Sequence, residues 1–283
     1  MKRKWSEKLG FLILTLSGIF VVFILGVILF DIISKGSSVI TWEFLTNPPR
    51  DGMTKGGIFP AILGTFLVSV ITVLFAVPLG MFAAIYLHEY ARAGRLTRLI
   101  RLSIRNLSGV PSIVYGLFGV VIFVQILTLG TSILAAGLTL GLLTLPWTIT
   151  ACEEALKTVP KSYREGALAL GATKWYSIRT NVLPYAIPGM LTGTILGLAR
   201  ASGETAPILF TGAAFFLPHL PKSIFDQFMA LPYHLYILAT QHHSITLVRP
   251  IAYGTALVLL ALVLTLSFSA VLVRYRYRKK MRG

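Results

Sequence analysis

The sequence predicts an all-α membrane protein with six transmembrane helices, from its composition, its uncharged runs and the placement of its basic residues. Hydrophobic residues make up 55% of the 283 residues and charged residues 13%, with a mean hydropathy of +0.77. Soluble domains carry about 25% charged residues. Five apolar regions lie at residues 10–30, 56–87, 106–152, 180–217 and 250–273. A spanning helix needs about 20 apolar residues, so the 47-residue third region holds two spans and each other region holds one.

The net charge of +16 follows this topology. Of the 26 Lys and Arg residues, 20 lie in the N-terminal tail, the second and fourth loops and the C-terminal tail. The positive-inside rule places these segments, and hence both termini, in the cytoplasm. The pattern predicts a multi-pass protein of the cell (inner or plasma) membrane that contacts lipid, and it argues against nucleic acid as a partner.

The first two spans follow from the apolar runs in order. Region 10–30 is too long for a secretory signal and lacks its small-residue cleavage site, so we predict a retained helix. Region 56–87 predicts the second span. After it, basic residues alternate with Leu and Ile at helical spacing, which predicts an amphipathic helix at the lipid headgroups. Its basic residues are Arg92, Arg95, Arg98, Arg101 and Arg105.

The third and fourth spans divide near Gly130. Span five is predicted to begin between Pro184 and Pro188. The outside segment at 213–248 contains three prolines, which favour short pieces over one helix. These are Pro218, Pro221 and Pro232.

The sixth span ends in a run of alternating Arg and Tyr that begins at Arg274, which is typical of a membrane interface. No Pro- or Gly-rich linker divides the chain. We predict an N-terminal tail, first helix and outside loop at 1–55. The main transmembrane domain follows at 56–283.

A loop at about residues 153–183 has the pattern of a helical hairpin. Pro160 can start a helix, and Gly171 suits its end and a reversal of the chain. Thr173 can cap a second helix that runs to Pro184. The pattern predicts a compact surface on which a partner protein can dock.

The same loop resembles the EAA loop of ABC importer permeases, whose pattern is Glu-Ala-Ala, three residues, Gly, nine residues and Ile-x-Leu-Pro. The matching residues here are Glu165, Gly166, Ala167, Gly171, Leu183 and Pro184. Gly166 replaces an alanine, and Asn181 stands where isoleucine is usual. The resemblance implies a type I ABC importer permease (MetI-like) fold, in which this loop is the coupling helix that docks into an ATPase.

The sequence contains no Gly-x-x-x-x-Gly-Lys-Ser/Thr motif, so it has no phosphate-cradling loop for ATP. We therefore expect no cofactor in this chain, and ATP with Mg²⁺ in a separate ATPase. The chain is predicted to be a transport subunit without catalytic residues, and not an enzyme.

Arg200 and Glu204 are charges inside the fifth span. An arginine near the bilayer centre costs about 2.5–3.5 kcal/mol unless it is paired or lines a wet cavity. Glu204 follows four residues later, on the same face of the predicted helix, and Thr205 adds a hydroxyl. A guanidinium can bind two phosphate oxygens at once, so we predict that Arg200 meets an oxyanion on a translocation path. A gating role and a purely structural pair remain open.

Ser112 and Tyr115 in span three are further candidates for the path, with helix packing an equally good interpretation. Segments 110–119 and 199–207 look like those of the PstA family of phosphate importer permeases. This resemblance covers nearly the whole chain. It implies a homologous permease subunit (PstC-like), an ATPase dimer (PstB-like) and an extracytoplasmic phosphate-binding protein (PstS-like) that sets selectivity.

Other functions remain open at this point. A permease for sulfate or molybdate would carry the same loop, and a secondary transporter would work without ATP but with internal repeats, which we do not find. A structural or sensory scaffold leaves Arg200 without a role. His88-Glu89 and His242-His243 lack further ligands at suitable spacing, so we predict no metal site.

Overall fold

The structure, a computed structural model, describes residues 2–217 and 219–280, without the side chains of residues 2–7, 270, 278 and 280. Pro218 and Arg282, which entered the predictions for the outside segment and the basic tail, lie outside the described residues. So do the side chains of the other basic tail residues Lys2, Arg3, Lys4, Arg278 and Lys280.

Helices dominate the described residues. They are α1 Lys2–Gly36, α2 Trp42–Thr46, α3 Phe59–Ile85, α4 Arg95–Leu107, α5 Ser112–Gly119, α6 Ile133–Lys157, α7 Lys161–Ala169, α8 Lys174–Ser177, α9 Leu183–Ala201, α10 Ala206–Thr211, α11 Leu231–Tyr236 and α12 Ile245–Lys280. Wider π-helical turns extend α3, α5, α8 and α11, at Tyr86–Tyr90, Val120–Ile126, Ile178–Val182 and Ile237–Gln241. A 3₁₀ turn at Ser37–Val39 follows α1, and a small antiparallel β-hairpin pairs β1 Pro49–Arg50 with β2 Lys55–Gly56.

The predicted all-α membrane fold is confirmed. Within the described residues, five helical stretches are long and apolar enough to cross a membrane: Lys8–Val39, Phe59–Tyr90, Ile133–Lys157, Lys174–Ala201 and Ile245–Tyr277. The bent pair of α4 and Ser112–Ile126, whose two helices differ in direction by 103°, gives a sixth when the pair is counted as one span. Gly130, with φ +66°, lies in the turn before α6, as the sequence predicted. The division at residue 55 falls inside β2 and remains a prediction.

The centre of the bundle is the contact between α3 and α6, where glycines let the two helices approach closely. A Cβ atom on Gly137 would lie 2.5 Å from Ile71, and one on Gly80 would lie 2.5 Å from Thr148. In lipid the hydrophobic effect does not drive helices together, because the acyl chains are as apolar as the side chains. Small residues of this kind promote association by letting the helices pack closely. In contrast, α1 exposes its apolar side chains along its described length and packs mainly on α12. It therefore lies at the edge of the bundle.

The segment between α10 and α12 closes one end of the bundle as short pieces, as predicted. The Thr65 hydroxyl of α3 accepts a hydrogen bond from the Leu231 backbone N–H at 2.8 Å. The backbone N–H of Ile133 donates to the Asp226 carbonyl at 3.0 Å. These bonds tie the segment to α3 and to the start of α6. The turn between α7 and α8 lies at the other end, called the hairpin end below.

Candidate functional site

Arg200 and Glu204 lie on the two sides of a helix break. The fifth span ends at Ala201, and Glu204 follows in a turn before α10 begins. The prediction that both residues share one helix face was therefore wrong. Gly203 favours the end of a helix, and Pro207, close to the start of α10, has no N–H to continue the hydrogen-bond ladder. The break brings the side chains of Arg200 and Glu204 close to each other.

The guanidinium of Arg200 remains available to a ligand. Its Nε lies 3.5 Å from Oε1 of Glu204, and its side chain is 51% exposed against 17% for Glu204. Its Cζ lies 5.2 Å from the ring centroid of Trp147, near the middle of α6. Within the described residues the guanidinium donates no hydrogen bond, so its planar Nη fork is free. Such a group can bind an oxyanion bidentately, with Glu204 and Trp147 limiting its orientation.

Helix α5 packs directly against α10 next to this break. A Cβ atom on Gly116 would lie 3.1 Å from the Ala206 carbonyl oxygen. Thr205, half-buried, directly precedes that contact, and Ser112 lies one helical turn before Gly116 and is also half-buried. The contact between Gly116 and Ala206 therefore places α5, the helix that begins at Ser112, beside the break that follows Arg200. Contact of Ser112 and Thr205 with a substrate remains a prediction.

Tyr115 is placed differently from the other candidates. Its ring is buried, and its hydroxyl donates a 2.9 Å hydrogen bond to the Leu107 carbonyl at the end of α4. In this structure the hydroxyl fastens α4 to α5. A role for Tyr115 on the path remains a prediction.

The break is also anchored by a contact that the sequence did not indicate. The hydroxyl oxygens of Ser202, directly after α9, and Ser69 of α3 lie 3.2 Å apart in a buried position. Because each hydroxyl has a single proton, one of them donates across the contact and the other donates to the carbonyl four residues before it, which is Leu198 for Ser202 and Thr65 for Ser69. Serine is common in membrane helices, and nothing in the spacing of these two residues pairs them.

The helical hairpin formed by α7 and α8 has the predicted shape. Pro160 precedes α7, Gly171 has a φ of +80°, and the Thr173 hydroxyl accepts from the Tyr176 backbone N–H at 3.3 Å. Glu165 and Gly166 are exposed and Ala167 is half-buried on the first helix. Leu170 at the tip is 91% exposed. Leu170 lines one cleft together with the exposed Tyr176, and exposed apolar side chains grouped in this way are typical of a surface that another protein covers.

The second helix of the hairpin does not stop before the fifth span. The α-helix of the fifth span begins at Leu183, next to the predicted start between Pro184 and Pro188, but wider turns join it to α8 without a break, so the helical stretch runs from Lys174 to Ala201. The Leu183 backbone N–H bonds to Ile178, five residues earlier, and this wider turn lets the helix pass Pro184. Leu183 packs on the buried cluster at the hairpin end. The hairpin is therefore joined to the helix that carries Arg200 without an intervening loop.

A buried ion pair at the hairpin end was missed by the sequence analysis. Arg164 of α7 donates from Nη2 and Nε to Oε1 of Glu89, at 2.7 and 3.0 Å. The same guanidinium donates to the carbonyls of Val159 and Leu156, at 2.9 and 3.1 Å. The two side chains are 19% and 5% exposed. The only sequence signal was a charge at the end of span two.

A second ion pair joins α4 to the same region. Nη2 of Arg101 lies 2.7 Å from Oε1 of Glu153 in α6 and donates to the Leu87 carbonyl at 2.8 Å. Lys174 of α8 lies over the Tyr90 ring, 4.9 Å from its centroid. The amphipathic helix, the helical hairpin and the ends of the second and fourth spans therefore form one connected unit. No cluster of three or more metal-binding side chains occurs in the described part of the chain.

Comparisons with known proteins agree on one family. Residues 76–283 match the family described as binding-protein-dependent transport system inner membrane component. The probable ABC transporter permease protein YqgI of Bacillus subtilis is 34% identical over 253 residues, covering 85% of this chain and 86% of that protein. The phosphate transport system permease protein PstA of Mycobacterium leprae is 35% identical over 236 residues, covering 82% and 76%.

Solved structures of low sequence identity share the fold. A chain of a bacterial alginate ABC transporter, in complex with an alginate pentasaccharide-bound periplasmic protein, superposes with a TM-score of 0.66 at 13% identity, covering 99% of this chain and 96% of that chain. A chain of the inward-facing MetNI methionine ABC transporter gives 0.58 at 18% identity, covering 78% and 94%. The importer-permease fold expected from the sequence is thereby confirmed.

Proposed function

This chain belongs to the family of binding-protein-dependent transport system inner membrane components, and from that premise we propose that it is a permease subunit of an ATP-driven importer of inorganic phosphate. The observation that carries the proposal is the similarity to phosphate transport permeases across most of the chain. It extends over 83% of this chain for the probable PstA protein of Methanocaldococcus jannaschii and 74% for that of Pasteurella multocida. These relatives favour phosphate over sulfate or molybdate as cargo.

The geometry at the helix break supports the same cargo. Phosphate carries negative charge on several oxygens, which a free guanidinium fork binds through two parallel hydrogen bonds. Glu204, 3.5 Å from Nε of Arg200, would orient the fork for binding and lower the local positive charge, which favours release of the anion. Thr205 and Ser112 would offer hydroxyls at the same level.

The partners follow from the surfaces of the chain. The helical hairpin would dock, through its exposed Leu170, into one subunit of a PstB-like ATPase dimer that binds ATP and Mg²⁺. A PstC-like permease would complete the path, since Arg200 is half exposed in this chain. A PstS-like binding protein would deliver phosphate at the opposite end. The hairpin end carries the arginines of α4, and by the positive-inside rule these support a cytoplasmic location for this end and for both termini.

Movement would pass through the continuous helical connection between the hairpin and the fifth span. Because one helix runs from Lys174 to Ala201, a displacement of the hairpin by the ATPase displaces the break that holds Arg200. Arg164 would carry the same displacement to the ends of the second and fourth spans. The chain's own contribution is therefore to bind the anion and to change which side of the membrane reaches it.

Uptake of radiolabelled phosphate into vesicles tests the proposal. The vesicles contain this chain with its permease, ATPase and binding-protein partners, with and without internal ATP. Uptake that requires ATP and survives excess sulfate supports the assignment. Uptake without ATP would indicate a secondary transporter, and competition by sulfate or molybdate would indicate a different oxyanion.

A further inference from the structure

An arginine-lined cleft runs along α4, far from the helix break in the fifth span. Its lining residues are Ala93, Gly94, Arg95, Thr97, Arg98, Arg101 and Arg105. Among the residues that the structure describes, no carboxylate lines this cleft. Arg101 is paired with Glu153, whereas the other three arginines form no ion pair with any side chain that the structure describes. Positive groups held together without a counter-charge repel one another, so the cleft favours an anion.

The opposite face of α4 is apolar and uncovered. Leu96 and Leu99 are exposed, while Ile104 packs on the buried cluster at the hairpin end. The axis of α4 is turned by 103° from the span that follows it, so the helix lies across the bundle end. A helix with leucines on one side and arginines on the other is most stable between acyl chains and headgroups.

We propose that this cleft binds the phosphate-bearing headgroup of an anionic phospholipid of the cytoplasmic leaflet. The guanidinium forks of Arg95, Arg98 and Arg105 match phosphate oxygens in geometry and charge. A phospholipid supplies both features that α4 lacks, namely an anion for the cleft and acyl chains for the exposed leucines. Free phosphate would satisfy only the first.

The bound lipid would act on transport through Arg101. This side chain lines the cleft and also holds Glu153 of α6 and the Leu87 carbonyl near the end of the second span. Glu89, two residues after Leu87, holds Arg164 of the helical hairpin. Anionic lipid would therefore stabilise the unit that transmits ATPase movement. This consequence rests on the proposed function, whereas lipid binding does not.

The test measures phosphatidylglycerol retained by the assembled complex from mixed micelles with phosphatidylcholine, by mass spectrometry of the bound lipid. The variant is Arg95→Gln with Arg98→Gln. The matched control is Arg276→Gln with Lys279→Gln, which removes the same charge from exposed positions of α12. General attraction of basic residues to an anionic surface, about fivefold for each residue, is lost equally in the variant and in the control. A headgroup held in the cleft adds charge-assisted hydrogen bonds from Arg95 and Arg98, so the variant should weaken retention about tenfold more than the control does.

Four results would overturn the proposal. In the first, the unaltered complex retains no phosphatidylglycerol. In the second, the variant and the control lose phosphatidylglycerol equally, which would indicate general charge attraction. Inorganic phosphate displaces the lipid, which would make the cleft a site for any phosphate. The variant keeps the lipid but loses the ATPase, which would make the cleft a protein contact. In the supporting case, uptake in phosphatidylcholine vesicles rises on adding phosphatidylglycerol, and this rise is absent from the variant alone.

Discussion

Arg164 of the helical hairpin holds Glu89 at the end of the second span, with Nη2 2.7 Å from Oε1. The same guanidinium donates to the Leu156 and Val159 carbonyls at the end of α6. One side chain thus connects the hairpin to two spans that form the centre of the bundle. A force applied to the hairpin reaches these spans without passing through a flexible loop.

Removing one side of this pair should uncouple ATP hydrolysis from uptake. In Arg164→Gln the Glu89 carboxylate stays buried without its partner, which costs about 3–5 kcal/mol for a fully buried pair and less here because Arg164 is partly exposed. We expect phosphate uptake to fall at least tenfold while ATP hydrolysis by the assembled complex falls much less. Both rates are measured in the same vesicles.

Two further variants separate coupling from simple destabilisation. Lys161→Gln removes an exposed charge from the same helix and should leave the ratio of uptake to hydrolysis unchanged. The exchange Glu89→Arg with Arg164→Glu restores the pair and should recover part of the uptake. Uptake and hydrolysis that fall in parallel in Arg164→Gln would contradict a coupling role.

Uptake should require the planar guanidinium of Arg200, which can donate two parallel hydrogen bonds, and not only its positive charge. In Arg200→Ala the anion loses its bidentate partner, and uptake should fall below detection. Arg200→Lys keeps a point charge but not the planar geometry, so we expect a residual rate with a higher KM for phosphate delivered by the binding protein. Arg249→Ala, an exposed arginine at the start of α12, serves as the control and should transport normally. Normal uptake by Arg200→Ala would exclude Arg200 from the path.

The spans and the helical hairpin were predictable because local rules fix them. The bilayer requires each span to have a minimum length and few charged residues. Pro160, Gly171 and Thr173 affect only the conformation of the few residues next to them in the sequence. The break after Ala201 was not predicted, because Arg200 and Glu204 also have helical spacing. A single glycine and a proline several residues later do not by themselves place a helix end.

The contacts between distant residues that position the site could not be predicted from the sequence, for a different reason. Glu89 and Arg164 are 75 residues apart, and Ser69 and Ser202 are 133 apart. No periodicity connects residues at such separations, and each has plausible partners nearer in sequence. Only the packing of α3 against α6 and α9 brings them together.

The two glycines of the helical hairpin should respond oppositely to alanine. Gly171 has a φ of +80°, where a Cβ atom costs about 1–2 kcal/mol, so Gly171→Ala should weaken binding of the ATPase about fivefold or more. Gly166 lies within α7 with nothing within 4 Å of its Cβ position. Gly166→Ala should stabilise the helix by about 1 kcal/mol and preserve binding. Binding lost only in Gly166→Ala would mean that the partner occupies that space and that the turn at Gly171 is not limiting.

His234 of α11 should make the segment between α10 and α12 sensitive to acid. Both ring nitrogens are buried and have no hydrogen-bond partner in the described part of the chain, and burial lowers the pKa of His234 to about 4. In the unfolded chain the pKa is about 6.5, so below that pH the unfolded state takes up the proton first. Stability should therefore fall as the pH falls from about 6.5 to about 4, by up to about 3 kcal/mol, and should not depend on His234 above pH 7.

Thermal unfolding of the purified chain in detergent measures this dependence, and His234→Leu separates it from other titrations. The variant lacks the titrating ring, so the difference in unfolding temperature between it and the unaltered chain should grow as the pH falls through this window. His219→Gln, an exposed histidine of the same segment, is the matched control and should follow the unaltered chain. An equal slope in His234→Leu would show that the ring has a partner, such as an ordered water, that keeps its pKa near the ordinary value. The acid sensitivity would then have to arise elsewhere.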